Sequence, residues 1–553
     1  MTRLSGSPDR GSLYVVSRLL LIGLMIAIGA GAPALRVQAR SMPAPAGLSA
    51  GDWAAIRSRL PEALAAETYV KASNTGESDL FGVAIDADGD TVVVGAARED
   101  GGSNGVNGEQ NNDGAQDSGA AYVFVRSGAA WTQQAYLKPS NTDPGDDFGW
   151  SVAISGDTIV VGAPYEDGGS NGVGGEQNNA ISDAGAAYVF VRSDAQGAPA
   201  WTQQAYLKAS NPGQQDFFGF AVDITGDTIL AGAPWENSAA RGVDGNQADN
   251  SAAHSGAAYV FVRASGVWSQ QAYLKASNTD ALDSFGASVA IDGDAAVIGA
   301  WREGSATTGV NGKEDDNTAE NAGAAYVFAR SEAGWSQQAY LKASNAESAD
   351  YFGSQVAIDG ATVVVGAGGE DSAATDVNGA EGDNTAENAG AAYVFARSEA
   401  GWSQQAYLKA SNTDAEDDFG SAVAISGDRI VVAAGAEDSA ARTVNGNQAD
   451  DSALNAGAAY AFVRSETGWS RAAYLKAPNA ERADGLGRAV ALTDEIIAIG
   501  AIGEASAATG LNGDQHDNNA FRAGAAYVFS NQADPNLPNK LYLPLIQAAP
   551  ARR

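Results

Sequence analysis

A dipeptide, Phe-Gly, opens the same stretch of sequence at Phe81, Phe148, Phe218, Phe285, Phe352 and Phe419, and Leu486-Gly487 stands in for a seventh copy. The successive spacings are 67, 70, 67, 67, 67 and 67 residues. A period this constant restricts the chain to repeat architectures, in which each unit leans on its neighbour to bury its apolar faces. In a chain of 553 residues the repeat leaves room for one large body and two short ends.

One repeat parses into four strands. FGWSVAIS (148–155) and TIVVGA (158–163) flank Gly156-Asp157, which reads as a tight hairpin turn. A long polar loop, PYEDGGSNGVGGEQNNAISDA, leads to GAAYVFVR (185–192), and a further turn leads to WTQQAYLKAS (201–210). Val, Ile, Tyr and Phe dominate, and the middle strands are apolar on both faces, as strands are when sheets stack face to face. The single interval of 70 residues comes from the longer turn SDAQGAPA before Trp201.

Seven such units predict an all-β fold, a seven-bladed β-propeller of four-stranded antiparallel blades. The seventh copy runs to AGAAYVFS (523–530) and has no Trp-containing fourth strand. Ahead of the first copy stands AETYVKASN (66–74), which matches QAYLKPSN (134–141). This N-terminal strand is therefore expected to complete the last blade and close the ring, leaving no open sheet edge at the seam. NKLYLPLIQ (539–547) competes for the same place, although Pro544 would interrupt it. The expected division is a signal peptide over 1–39, a lead-in with a short helix over 40–65, the propeller over 66–530 and a tail over 531–553. The helix rests on Asp52 as cap, on Trp53, Ile56 and Leu60 along one stripe, and on Pro61 as its end.

The residues FGxxVAIxGD…VVGAP…ED resemble the FG-GAP repeat of integrin alpha-subunit propellers. They are more similar still to FG-GAP repeat proteins exported by bacteria, which share the trailing W-x-Q-x-x-L-x-A segment. The resemblance spans residues 66–530 and implies a propeller that binds or adheres and does not catalyse. Two departures limit it. Gly-Ala-Pro is literal only at 162–164 and 232–234, and the calcium loop DxDxDG of integrin blades is absent. Asp86-Ala87-Asp88-Gly89-Asp90 comes nearest, with the wrong spacing, and reads as a hairpin turn. The integrin calcium sites do not carry over.

The N-terminus reads as an export signal. Arg3, Arg10 and Arg18 precede the apolar run Leu19–Ala32, and a small-x-small site follows at Val37-Gln38-Ala39. That run is shorter than the ~20 residues that span a bilayer. A secreted or cell-envelope protein is expected, touching a membrane only through this segment if it stays uncleaved. The absence of cysteine excludes a lipid-anchored cysteine, disulfide staples and thiolate metal sites. A formal charge of −34 (67 acids against 33 bases) argues against nucleic acid, whose phosphates need Lys and Arg, and permits cations or basic partners. A monomer is expected.

Alternating strand direction puts the long loops after each second strand on one face, together with the links from each fourth strand to the next first strand. The other face carries short turns with Arg126, Arg192, Arg263, Arg330, Arg397 and Arg464, read as a solvated rim. On the long-loop face four polar positions are identical in all copies. Two are Lys (71, 138, 208, 275, 342, 409, 476) and Asn (74, 141, 211, 278, 345, 412, 479). The others are an Asp ahead of Phe-Gly (Asp79, Asp146, Asp216, Asp283, Asp350, Asp417, Asp484) and a Glu after Gly-Ala (Glu99, Glu166, Glu236, Glu303, Glu370, Glu437, Glu504). One hairpin joins each Asp to its Glu, so the two carboxylates should be neighbours that need a cation, a shared proton or a basic side chain between them. Calcium, a hard ion that takes oxygen ligands, is one reading of these fourteen acids as metal ligands. The other is structural: Asp and Asn fold the link while Lys neutralises Glu. A further loop pattern, Val106-Asn107-Gly108, Val310-Asn311-Gly312 and Leu511-Asn512-Gly513, is first a turn signal.

Catalysis has little material. His254 and His516 are the only histidines and lie in loops of different blades, so zinc sites and Ser-His-Asp arrangements are disfavoured. No blade shows an extra constellation. The function expected is a non-catalytic module that binds a protein or a glycan through the acidic face, with or without calcium. The alternatives are a carboxylate-based carbohydrate enzyme on the same scaffold and a passive envelope protein. Acids and aromatics that break the symmetry at the channel mouth would favour the enzyme, and uniform blades would favour binding.

Overall fold

The computed structural model describes residues 64–195 and 198–531, and every regular element in them is a strand. Twenty-eight strands form seven four-stranded antiparallel sheets. Blade 1 is typical, with strands Phe81–Asp88, Thr91–Ala96, Ala120–Ser127 and Ala130–Leu137 hydrogen-bonded in that order. The first strand of each blade touches the first strand of the next, and that of blade 7 returns to blade 1. First strands therefore line the axis and fourth strands form the outer rim. The expected signal peptide, the Asp52–Leu60 helix and the 539–547 segment lie outside the described residues.

Blade 7 consists of Leu486–Leu492, Ile496–Ala501 and Ala525–Asn531 in sequence, and Leu64–Val70 is its fourth strand. Tyr69 pairs with Tyr527 and Val70 with Ala526. The register skips Glu67, just as it skips Gln134 in blade 1 and the matching residue in each of the other five blades. The N-terminal strand thus reproduces even the bulge of a fourth strand. In blades 1 to 3 the bulged Gln reaches the next blade: Gln134, Gln204 and Gln271 accept the indole N–H of Trp201, Trp268 and Trp335 at 2.7, 2.7 and 2.9 Å.

The core lies between blades. One cluster joins Val93, Val123 and Leu137 of blade 1 to Phe148, Ile159, Tyr188 and Trp201 of blade 2, all buried. Another joins Val70, Phe81 and Phe124 to Ile496 and Val528 and so seals the ring. Such contacts explain why second strands are buried, except for Ala295 and Arg429 at the start of two of them, and read as apolar runs.

Phe-Gly itself stands ahead of the first strand in blades 2 to 5, where pairing begins three residues later than the sequence pattern suggests. The reason is a backbone-to-backbone contact. Gly149 has φ of 94°, and its carbonyl approaches Gly95 so closely that a Cβ there would lie 1.9 Å away. The motif therefore marks where two blades touch through glycine.

Candidate functional site

The repeated polar residues form one buried network per blade. In blade 1, Lys138 lies 3.1 Å from Glu99 and also donates to Ser118 Oγ and the Gly119 carbonyl at 2.7 and 2.6 Å. Glu99 accepts four hydrogen bonds: from Asn74 and Tyr136 on one oxygen, at 2.7 and 2.8 Å, and from the Gly101 N–H and Lys138 on the other. Asn74 in turn accepts from Tyr122 at 2.7 Å. Equivalent ion pairs occur at Lys208–Glu166, Lys275–Glu236, Lys342–Glu303, Lys409–Glu370 and Lys476–Glu437, at 2.8 to 3.0 Å. The seventh, Lys71–Glu504 at 3.0 Å, spans the seam of the ring. Every one of these Lys and Glu side chains is shut off from solvent. Burial pulls each lysine below the ordinary ammonium range, and its glutamate pulls it back.

Six of the seven Asp ahead of Phe-Gly fold their own link. Asp79 accepts the Gly76 N–H at 2.7 Å, and Asp216, Asp283, Asp350, Asp417 and Asp484 repeat the bond at 2.7 to 3.0 Å. Burial, with help from the nearby glutamate, raises their carboxyls to about 7 or about 8. Asp146 is raised to about 8 for the same reasons, and one of its buried oxygens has no partner. The expected nearness of Asp and Glu is present, and an ammonium stands at the glutamate. As ligands for calcium the glutamates fit poorly, because each already accepts from a lysine ammonium and an asparagine amide, and Glu99, Glu166 and Glu370 accept four hydrogen bonds each. Among the described residues no group of three His, Cys, Asp or Glu side chains is arranged to hold a metal ion.

Two other sequence patterns are structural. Asn107, with φ of 56°, accepts the Tyr136 N–H at 2.9 Å and donates its own N–H back, pinning the loop to the fourth strand. Asp86 and Asp88 accept the backbone N–H groups of Ile154 and Gly156 in blade 2, so this segment is a hairpin that latches two blades. The Arg face is more than a solvated rim. Arg126, Arg192, Arg263, Arg330 and Arg464 pair with the Asp of the neighbouring hairpin turn at 2.6 to 2.8 Å. The same guanidiniums lie over Trp131, Trp201, Trp268, Trp335 and Trp469, 5.0 to 6.0 Å from the ring centroids.

The seven FG-GAP repeat matches cover residues 67–124, 131–190, 201–261, 268–328, 335–395, 402–462 and 469–529. The chain belongs to the FG-GAP repeat family. Each FG-GAP unit takes its opening strand from one blade and its other three from the next, so the family's repeat is offset from the structural blade by one strand. No curated protein matches the chain.

Against this sevenfold FG-GAP frame one region departs. Where first strands begin and second strands end, at the axial mouth on the long-loop face, the residues differ from blade to blade. This corrects the expectation that no blade carries an extra constellation. Trp150 packs against Tyr165 and Phe220, with ring centroids 6.2 and 5.5 Å apart. Tyr165 continues to Phe217 at 5.1 Å, Phe217 to Trp235 at 4.7 Å, and Trp235 stacks flat on His254 at 4.5 Å. In blades 4 and 5, Trp301 meets Tyr351 at 5.3 Å, with the Arg302 guanidinium 4.2 Å over its ring. Except for the buried Phe217, these rings are half-exposed.

Charge at this mouth is mixed. Burial raises Asp147 to about 7 against the pull of Arg98, and raises Asp418 to about 6 against that of Arg488. Arg98, Arg302 and Arg488 enter no ion pair within 4.0 Å among the described residues. Asp418 and Arg488 are reached by solvent and yet desolvated by dense surrounding protein, as side chains on a concave wall are.

Proposed function

We propose that the chain is an exported, non-catalytic binding and adhesion module that meets a protein or a glycan through its long-loop face. One observation carries the reading: the carboxylates repeated in every blade are engaged in the fold, while aromatic and guanidinium side chains without a structural counterpart gather at the axial mouth. Half-exposed aromatics on a rigid scaffold are ordinary contact residues for a ligand. The test immobilises extracellular polymers and cell surfaces and measures retention of the purified mature chain. Saturable retention that is lost in Trp150→Ala/Trp235→Ala, with no reducing ends released from polysaccharide, is expected. Release of reducing ends would overturn the non-catalytic part.

A second reading, a carboxylate-based carbohydrate enzyme, draws support from the broken symmetry of the mouth, the feature expected of it, and from Asp147 among the aromatics. A carboxyl held at about 7 beside aromatic rings has the properties of a general acid. In that case Asp147→Asn would abolish hydrolysis without weakening retention.

A further inference from the structure

We propose that the axial mouth over blades 2 to 5 is a binding site for a neutral oligosaccharide, whose ring faces lie on Trp150, Tyr165, Trp235 and Trp301. The proposal rests on the binding-module reading and names its ligand.

These rings are not needed to build a blade. Blade 6 carries Ser421 where blades 2 and 3 carry Trp150 and Phe220, and Ala436 where they carry Tyr165 and Trp235, yet its sheet pairs in the same order. The fold therefore leaves the aromatics unexplained, and half-exposed indole and phenol rings on a soluble surface mark a contact site. Their spacing speaks to ligand size. Trp150, Tyr165, Phe217 and Trp235 follow one another in steps of 6.2, 5.1 and 4.7 Å, each edge-on to the next, and with Phe217 buried beneath them they make a stepped wall longer than a single sugar ring.

Charge speaks to ligand class. Within a chain of net charge −34 the mouth carries both signs, with Arg98, Arg302 and Arg488 standing among Asp147, Asp418 and the nearby Asp117, Asp183 and Glu416. A polyanion would have to cross the acidic loops to reach it. A cationic segment would meet guanidiniums, one of which already covers the Trp301 ring. A neutral, hydroxyl-rich ligand meets neither barrier. Guanidinium and carboxyl groups supply the paired donors and acceptors that adjacent hydroxyls require, while sugar C–H faces lie on the rings.

The experiment titrates the mature chain with neutral hexasaccharides of glucose, xylose and N-acetylglucosamine, with hexagalacturonate and with hexa-arginine, following tryptophan fluorescence and heat. Saturable binding of at least one neutral hexasaccharide is expected, tighter than that of either charged probe. Trp235→Ala and Trp301→Ala should each weaken it at least tenfold, and Arg302→Gln several-fold, with melting temperatures unchanged. Arg330→Gln on the opposite face should leave it unaltered. The proposal is overturned if no neutral hexasaccharide binds, if a charged probe binds more tightly, or if Trp235→Ala/Trp301→Ala binds like the parent. If sugars fail while retention on cell surfaces still depends on Trp150 and Trp235, the ligand class alone falls and the binding module stands.

Discussion

Lys275 has no water left to it: its ammonium contacts the Glu236 carboxylate at 3.0 Å, the Ser255 hydroxyl at 2.8 Å and the Gly256 carbonyl at 2.6 Å. Lys275→Met strands a buried carboxylate, and removal of one partner of such a pair typically costs about 3–5 kcal/mol. A clearly lowered midpoint in denaturant is expected, partly restored by adding Glu236→Gln. Because an ammonium already neutralises each glutamate, chelation of divalent cations should leave the melting temperature unchanged. The link aspartates make a second prediction. Asp350, raised from 3.8 to about 8, keeps its proton in the fold over a range where the unfolded chain has lost it. Its stabilising effect is therefore full below about pH 4 and is lost as pH rises through about 8. Melting temperature should fall between pH 5 and 9, and Asp350→Asn, which mimics the protonated form, should flatten that fall. The sequence made the Asp–Glu neighbourhood legible, because one hairpin joins them, and it showed Lys and Asn at fixed places. It hid Tyr122 and Tyr136, which look like ordinary strand aromatics until their hydroxyls are seen on Asn74 and Glu99. The mouth was hidden more deeply: its residues share a few repeat positions, beside Phe-Gly and just ahead of the Glu, but the residue there changes from blade to blade, so a search for identical positions passes over them.

At the level of strands and turns, glycine sets how closely blades approach. A Cβ on Gly232 would lie 1.9 Å from the Gly286 carbonyl of the next blade, whereas one on Gly226, in a hairpin turn, would meet nothing within 4 Å. Gly232→Ala should destabilise by the ~1–3 kcal/mol typical of overpacking or more, measured as a shift in denaturant midpoint. Gly226→Asn, in the left-handed turn, should be close to neutral by the same measurement. Blade 6 shows a natural accommodation. Ala433 stands where other blades have this glycine, and the blade it faces opens with Leu486 instead of Phe. Strand order, number and closure were legible in the 67-residue period and in the missing fourth strand. The late start of first strands was not, because Phe-Gly looks like strand sequence and its turn is imposed by the neighbouring blade.

For the whole molecule, the ring depends on its first described strand. Removing residues 1–72 deletes the partner of Ala525–Asn531 and leaves Glu504 buried without Lys71. The truncated chain should melt at lower temperature and in more than one step, with Ile496–Ala501 exchanging its amide protons faster than the same strand in blade 3.

The one-strand offset between repeat and blade also sets the order of events during synthesis. Tyr69 bonds to Asn512 across 443 positions of chain, so its partner strand emerges long after it does. Six blades can assemble from contiguous sequence as the chain lengthens, and only the seventh must wait for both ends. Loop closure on that scale is slow, and until it happens blade 7 presents a bare edge. The nascent molecule is thus an open arc for almost its whole period of elongation, and it becomes a ring in one late step.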